Sequence, residues 1–137
     1  MDLRDVMTPD PTICRSDTTA RDAATLMRDQ DIGDVLVQDE GGPIGIVTDR
    51  DIVTRAVAAG RDPADVRLGE ICTPNATTVS IDTPVDEVIR VMSDTAVRRV
   101  PVTDGDKPIG IVAIGDLAID RDRSSLLGDI SAAPPNN

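Results

Sequence analysis

Residues 6–53 of the chain return as residues 71–118 at a constant offset of 65, without a gap. Val6-Met7-Thr8-Pro9 reappears as Ile71-Cys72-Thr73-Pro74, and Pro43-Ile44-Gly45-Ile46-Val47 as Pro108-Ile109-Gly110-Ile111-Val112. Between these anchors Thr12, Asp17, Thr18, Met27, Asp29, Val35, Val37 and Asp39 meet identical residues at Thr77, Asp82, Thr83, Met92, Asp94, Val100, Val102 and Asp104. A fixed period means one supersecondary unit used twice, and it constrains the fold before any other signal. Two copies are too few for a solenoid, so a closed two-lobed domain is expected.

The core has to be built without Phe, Tyr or Trp, none of which occurs among the 137 residues. Val, Ile, Leu, Ala and Met must supply the burial, which suits parallel strands and small-residue helix faces. A net charge of −11 argues against nucleic-acid binding, which needs a basic footprint. It also means that a nucleotide is repelled at long range and has to be held by local donors. No apolar run approaches the length of a membrane span, and no membrane partner is expected. The first twenty residues lack a basic region followed by an apolar stretch, which predicts no secretory signal and a cytoplasmic protein. Cys14 and Cys72 read as reduced, buried small hydrophobes, with a disulfide or redox pair as the alternative. There is no His and no Cys pair at ligand spacing, so no metal site is expected.

Each copy reads as strand, helix, strand, strand, helix. In the first, residues 11–15 form a short strand, and Asp17 or Thr18 caps a helix reaching Gln30 with Ala20, Ala23, Ala24 and Met27 on one face. Val85, Val88, Ile89 and Met92 occupy the same positions in the second copy. Residues 34–38 and 43–48 are apolar strands joined by Asp39-Glu40-Gly41-Gly42, a hairpin turn. Residues 99–103 and 108–113 repeat them around Asp104-Gly105-Asp106-Lys107. A helix over 49–59 ends at Gly60. Residues 1–7 and 66–72 are lead-in segments to the two copies. The expected boundaries are 1–66 for the first repeat with its lead-in helix, 67–123 for the second, and 124–137 for a flexible tail.

This order, with Gly45-Ile46-Val47-Thr48-Asp49-Arg50-Asp51 following the hairpin, resembles a CBS domain, and the tandem resembles a CBS pair, or Bateman module. The similarity covers roughly residues 3–122. Asp31-Ile32-Gly33 and the run from Thr48 through Pro63 also resemble small stand-alone bacterial CBS-pair proteins of the mycobacterial hypoxic-response type. The resemblance implies an α/β (α+β) fold of two βαββα repeats about a pseudo-two-fold axis, with two clefts between them. It further implies an adenosine-containing ligand (AMP, ADP, ATP or S-adenosylmethionine), no required cofactor, a homodimer of modules, and regulation of a protein target that the sequence does not identify.

Thr48-x-x-Asp51 lies where a strand becomes a helix. Free backbone N–H groups there suit phosphate, Thr48 can donate its hydroxyl, Asp51 can accept from a ribose diol, and Arg50 adds a charged donor. The family's usual ligand walls map onto Thr12 and Ile13 and onto Asp34, Val35 and Leu36. The same Thr-x-x-Asp pattern is also a helix capping box that needs no ligand. The second copy has Ala113 for Thr48 and Gly115 for Arg50, but keeps Asp116 and places Arg98 and Arg99 where the first has Gly33 and Asp34. Its candidate set is Thr77, Arg98, Arg99, Val100, Pro101 and Asp116, and an arginine at the Arg98 position reaches phosphate in nucleotide-binding relatives. The alternative for the Arg pair is a solvated face. Two unequal sites are expected, with the Thr48/Asp51 site the stronger. A sensor of an adenosyl ligand is the leading function, and an interaction module with degenerate, ligand-free clefts is the alternative. An enzyme is not expected, because no base–nucleophile pair or phosphate loop is present.

Overall fold

The computed structural model describes residues 2–117. The expected tail at 124–137 and the end of the second repeat lie outside them. In chain order the elements are α1 (Leu3–Val6), β1 (Thr8–Pro9), β2 (Ile13–Cys14), α2 (Ala20–Gln30), β3 (Asp34–Val37), β4 (Gly45–Thr48), α3 (Asp49–Ile52), a π turn (Val53–Val57), a 3-10 turn (Pro63–Asp65), α4 (Leu68–Ile71), β5 (Val79–Ser80), α5 (Val85–Thr95), β6 (Arg99–Asp104) and β7 (Lys107–Ala113). Residues 114–117 are helical.

Thr19, rather than Asp17 or Thr18, caps α2, its hydroxyl accepting from the Asp22 amide at 3.1 Å. Thr18 is held elsewhere: its carbonyl accepts from Leu68 N–H at 2.8 Å, which delays the helix start by a residue. From that start Ala20, Ala23 and Met27 share the buried face. They pack with Val35, Val37 and Val47 of a sheet ordered β2-β3-β4, β2 and β3 parallel and β3 and β4 antiparallel. Leu68 and Ile71 of α4 complete this core. The helix expected over 49–59 is α-helical only to Ile52 and then widens into the π turn, where the Thr54 hydroxyl takes the Arg50 carbonyl at 2.8 Å and loosens the regular ladder. Gly60, at φ +78°, ends it as expected.

The second sheet runs β1-β7-β6-β5. Val88 and Met92 of α5 pack on Val79, Val100, Val102 and Val112, and Leu3 of α1 and Leu117 join them. Pro101 sits inside β6 opposite Ile111 of β7. It is tolerated there because its missing N–H falls on the side away from β7.

Packing units are therefore offset from the repeats as drawn at 1–66 and 67–123. One unit is Thr12–Ala76, and the other joins Met1–Pro11 to the chain from Thr77 onward. Each lead-in segment has been exchanged: Thr8 pairs with Ile111, and Thr73, 65 residues on, pairs with Ile46. The identical Gly45 and Gly110 make this possible. A Cβ on Gly45 would stand 3.0 Å from the Thr73 carbonyl and 3.3 Å from Cys72 Sγ; on Gly110 it would collide with Met7 Sδ and stand 3.0 Å from the Thr8 carbonyl. The lead-in backbone crosses each strand where there is no side chain to meet it.

Candidate functional site

The first candidate site lies where β4 ends. Thr48 leaves the strand in extended conformation and caps α3. Its Oγ1 accepts from the Asp51 amide at 3.2 Å, and Asp51 Oδ2 accepts from the Thr48 amide at 2.9 Å, which closes the capping box. Asp34 stands opposite Thr48 in the β3–β4 ladder, and the Thr12 carbonyl accepts from the Leu36 amide at 2.9 Å. Thr12, Asp34, Thr48 and Asp51 are thus brought to one end of the sheet.

The other expected wall residues separate. Val35 belongs to the helix-facing core and is fully buried, so its side chain is scaffold; Leu36, on the opposite face, is also fully buried. Ile13 is 45 % exposed and leaves apolar surface near this end. The Thr12 hydroxyl donates to Gln30 Oε1 at 2.7 Å. Arg50 is exposed.

The donors expected for phosphate are already used. The Asp49 amide donates to the Gly33 carbonyl at 3.0 Å, the Arg50 amide to Asp49 Oδ1 at 2.8 Å, and the Asp51 amide to Thr48. The first turn thus has no spare N–H for an anion, because the Thr and Asp side chains that made the motif look like a binding site satisfy those groups themselves. Asp51 Oδ1, on a side chain 17 % exposed, faces Arg55 Nε at 3.8 Å. Arg55 escaped the sequence reading. The only signal was its place four residues after Asp51, the spacing of a helical ion pair.

The second copy keeps half of this arrangement. Asp116 Oδ2 accepts from the Ala113 amide at 3.4 Å, and the Ile114 amide donates to the Arg98 carbonyl at 2.8 Å, as Asp49 does to Gly33. Ala113 has no hydroxyl to return. Arg99 stands opposite Ala113, and Arg98 is exposed. Val100 and Pro101 are fully buried, Val100 in the core cluster. Because proline has no N–H, the bond that fixes Thr12 has no counterpart at Thr77.

Cys14 is buried and Cys72 half-buried, and both are free thiols. Burial pushes both thiols up, and the Asp51 and Asp39 carboxylates add to the shift at Cys72. Neither has the lowered pKa of a reactive cysteine. Among the described residues no three His, Cys, Asp or Glu side chains are placed to hold a metal ion. Among them, too, no helix is long and apolar enough to cross a membrane.

The fold defines a mixed α/β protein made of two homologous strand–helix repeats. The chain belongs to the CBS-domain family, whose model matches residues 3–58 and 68–119, a tandem pair. It is 37 % identical over 135 residues to the uncharacterized protein YlbB of Bacillus subtilis, covering 94 % of this chain and 90 % of that protein. It is 36 % identical over 116 residues to hypoxic response protein 1 of Mycobacterium tuberculosis, covering 84 % and 81 %. Among solved structures it resembles the CBS domain pair of protein MJ0100 in complex with 5′-methylthioadenosine and S-adenosyl-L-methionine. That match has a TM-score of 0.73 and 31 % identity, and covers 88 % of this chain and 98 % of the other. CBS pairs are regulatory ligand-binding modules, in general without catalysis.

Proposed function

We propose that this protein is a non-catalytic cytoplasmic sensor that binds an adenosine-containing ligand and reports its presence, as a homodimer, to a protein target. The carrying observation is the likeness to the MJ0100 pair with its two adenosyl compounds. The local chemistry is compatible with it. Asp51 and Asp116 lie at equivalent positions, and each is held by a single backbone amide through Oδ2. Asp51 Oδ1 faces Arg55 Nε at 3.8 Å, too long for a hydrogen bond, and keeps lone pairs that can accept from a ribose hydroxyl, as does Asp116 Oδ1. Thr12, Ile13, Asp34 and Thr48 supply the surroundings in the first repeat. Thr77, Arg98 and Arg99 do so in the second.

Native mass spectrometry of the purified protein, with thermal-shift titration of adenosyl compounds, tests this reading. A dimer mass and a bound adenosyl compound are expected. At about 100 times its Kd such a ligand adds roughly 2.7 kcal/mol to stability, and Asp51→Ala should lower the response. The second reading is an interaction module without a ligand. It is favoured by the closed capping box and the occupied first-turn amides, and it predicts no thermal response to any adenosyl compound while a protein partner is still retained.

A further inference from the structure

We infer that Arg55 is a positioning residue through which occupancy of Asp51 is passed to the lead-in segment at residues 71–73. This rests on the adenosyl reading above and names the regulation of that site. Arg55 uses different nitrogens for its two partners. Nη1 donates to the Ile71 carbonyl at 3.0 Å, and Nε faces Asp51 Oδ1 at 3.8 Å. Both contacts are made together, and a planar guanidinium fixed at two points is held more firmly at each. The Ile71 carbonyl belongs to the last residue of α4, where a helix offers its carbonyls no internal partner. Ile71 is buried, and a cationic side chain at a helix C-terminus satisfies such a group.

Directly after Ile71 the chain crosses β4. The Cys72 amide donates to the Leu68 carbonyl at 2.8 Å, and Thr73 and Ile46 exchange both backbone hydrogen bonds at 3.0 and 3.1 Å. Ile52 and Ala56, of the same stretch as Arg55, share one core with Leu68 and Ile71. Cys72 lies beside both charges: after burial, Asp51 raises its thiol pKa and Arg55 lowers it. A ribose hydroxyl that donates to Asp51 Oδ1 takes up part of the carboxylate's charge and weakens its hold on Nε. The guanidinium then keeps one anchor in place of two, and the Ile71 carbonyl is released more often. By linkage, a segment held firmly by Arg55 disfavours the ligand by the same factor. The link is specific to the first repeat. Asp116 repeats Asp51, but Asp120 stands where Arg55 does, so the second carboxylate has no cation at that position.

Hydrogen exchange of the full chain, resolved by residue, tests the coupling with the protein free and saturated with 5′-methylthioadenosine or S-adenosylmethionine. Isothermal titration measures binding to each variant. In wild type the amides of Ile46, Cys72 and Thr73 should exchange about fivefold faster on saturation, the effect of one charge-assisted bond discounted for exposure. Free Arg55→Gln should already show the faster rate, and ligand should add nothing at these amides. A purely structural role for Arg55 would give that faster rate with no response to ligand in wild type. Asp51→Asn keeps an oxygen for the Thr48 amide but removes the charge that anchors Arg55. It should speed the same amides without ligand, and should have no further effect in the Arg55→Gln background. Ligand bound by wild type with these three amides unchanged would overturn this inference and leave the adenosyl reading standing. An equal response to ligand in Arg55→Gln would do the same. Absence of binding by both compounds overturns the adenosyl reading and this inference with it.

Discussion

Arg55 donates from Nη1 to the carbonyl of Ile71 at 3.0 Å, tying the π turn after α3 to the last residue of α4. The same guanidinium faces Asp51 at 3.8 Å, so one half-exposed side chain joins the candidate ribose carboxylate to the helix that leads into the second copy. The counterpart 65 residues on is Asp120, of opposite charge.

Arg55→Met should therefore destabilise the protein by about 1 kcal/mol, a charge-assisted bond discounted for its exposure. That corresponds to a fall of roughly 3 °C in Tm. Arg55→Lys should recover little of it, because a single ammonium cannot reach both partners with the planar fork's geometry. Thermal denaturation of the three proteins measures the difference, and a lysine variant equal to wild type would show that only the charge matters.

The strands, both long helices and the CBS repeat were legible because each rests on a local pattern: a short apolar run at Val35-Leu36-Val37, a stripe at Ala20, Ala23 and Met27, and glycines at the hairpin. The exchange of lead-in segments was not. Leu3 and Leu68 are apolar residues in similar short helices, and nothing local says which sheet each will cover. The identical Gly45 and Gly110 marked the crossing points, but their meaning depends on backbone arriving from a distant part of the chain. At the candidate site the sequence identified Thr48 and Asp51 and left binding and capping both open. The structure adds which atoms the cap consumes, and that only side-chain geometry reveals.

The capping box at Thr48 and its half-formed counterpart at Ala113 offer a matched pair of substitutions. Thr48→Ala removes the hydroxyl that accepts from the Asp51 amide and should cost about 1 kcal/mol. Ala113→Thr supplies the missing hydroxyl where Asp116 already holds the Ala113 amide, and should stabilise by up to about the same amount. Urea unfolding of each variant gives the two values. A destabilising Ala113→Thr would mean that the second junction has no room for the hydroxyl.

Asp39 reaches back to Ser16, accepting from its amide at 3.0 Å and from its hydroxyl at 2.7 Å. These bonds, the amide first, hold the Asp39 carboxyl below the usual carboxylate range. A depressed folded-state value means that the stabilisation is fully present above the ordinary carboxylate pKa and is lost as pH falls through the folded one. Wild type should thus be more stable than Asp39→Asn at neutral pH, with the difference shrinking toward zero in strong acid. Glu70 is lowered in the same sense by the Arg67 amide and the Arg61 side chain, so Glu70→Gln should show a parallel trend. Urea midpoints taken across the acid range measure both. A gap for Asp39→Asn that is independent of pH would remove the assignment.

The exchanged lead-in makes a prediction that the plain repeat boundaries do not. Leu3 is 1 % exposed and packs with Val79, Val88, Met92, Val100, Val102 and Val112, all more than seventy residues away in sequence. Leu3→Ala should cost about 2–5 kcal/mol, the loss of a buried leucine plus the cavity it leaves. The loss should appear first in the amides of β6 and β7, because those strands share its core, while β3 and β4 keep their protection. Hydrogen exchange resolved by residue measures both. Loss of protection confined to β3 and β4 would instead place the first lead-in helix on the first repeat.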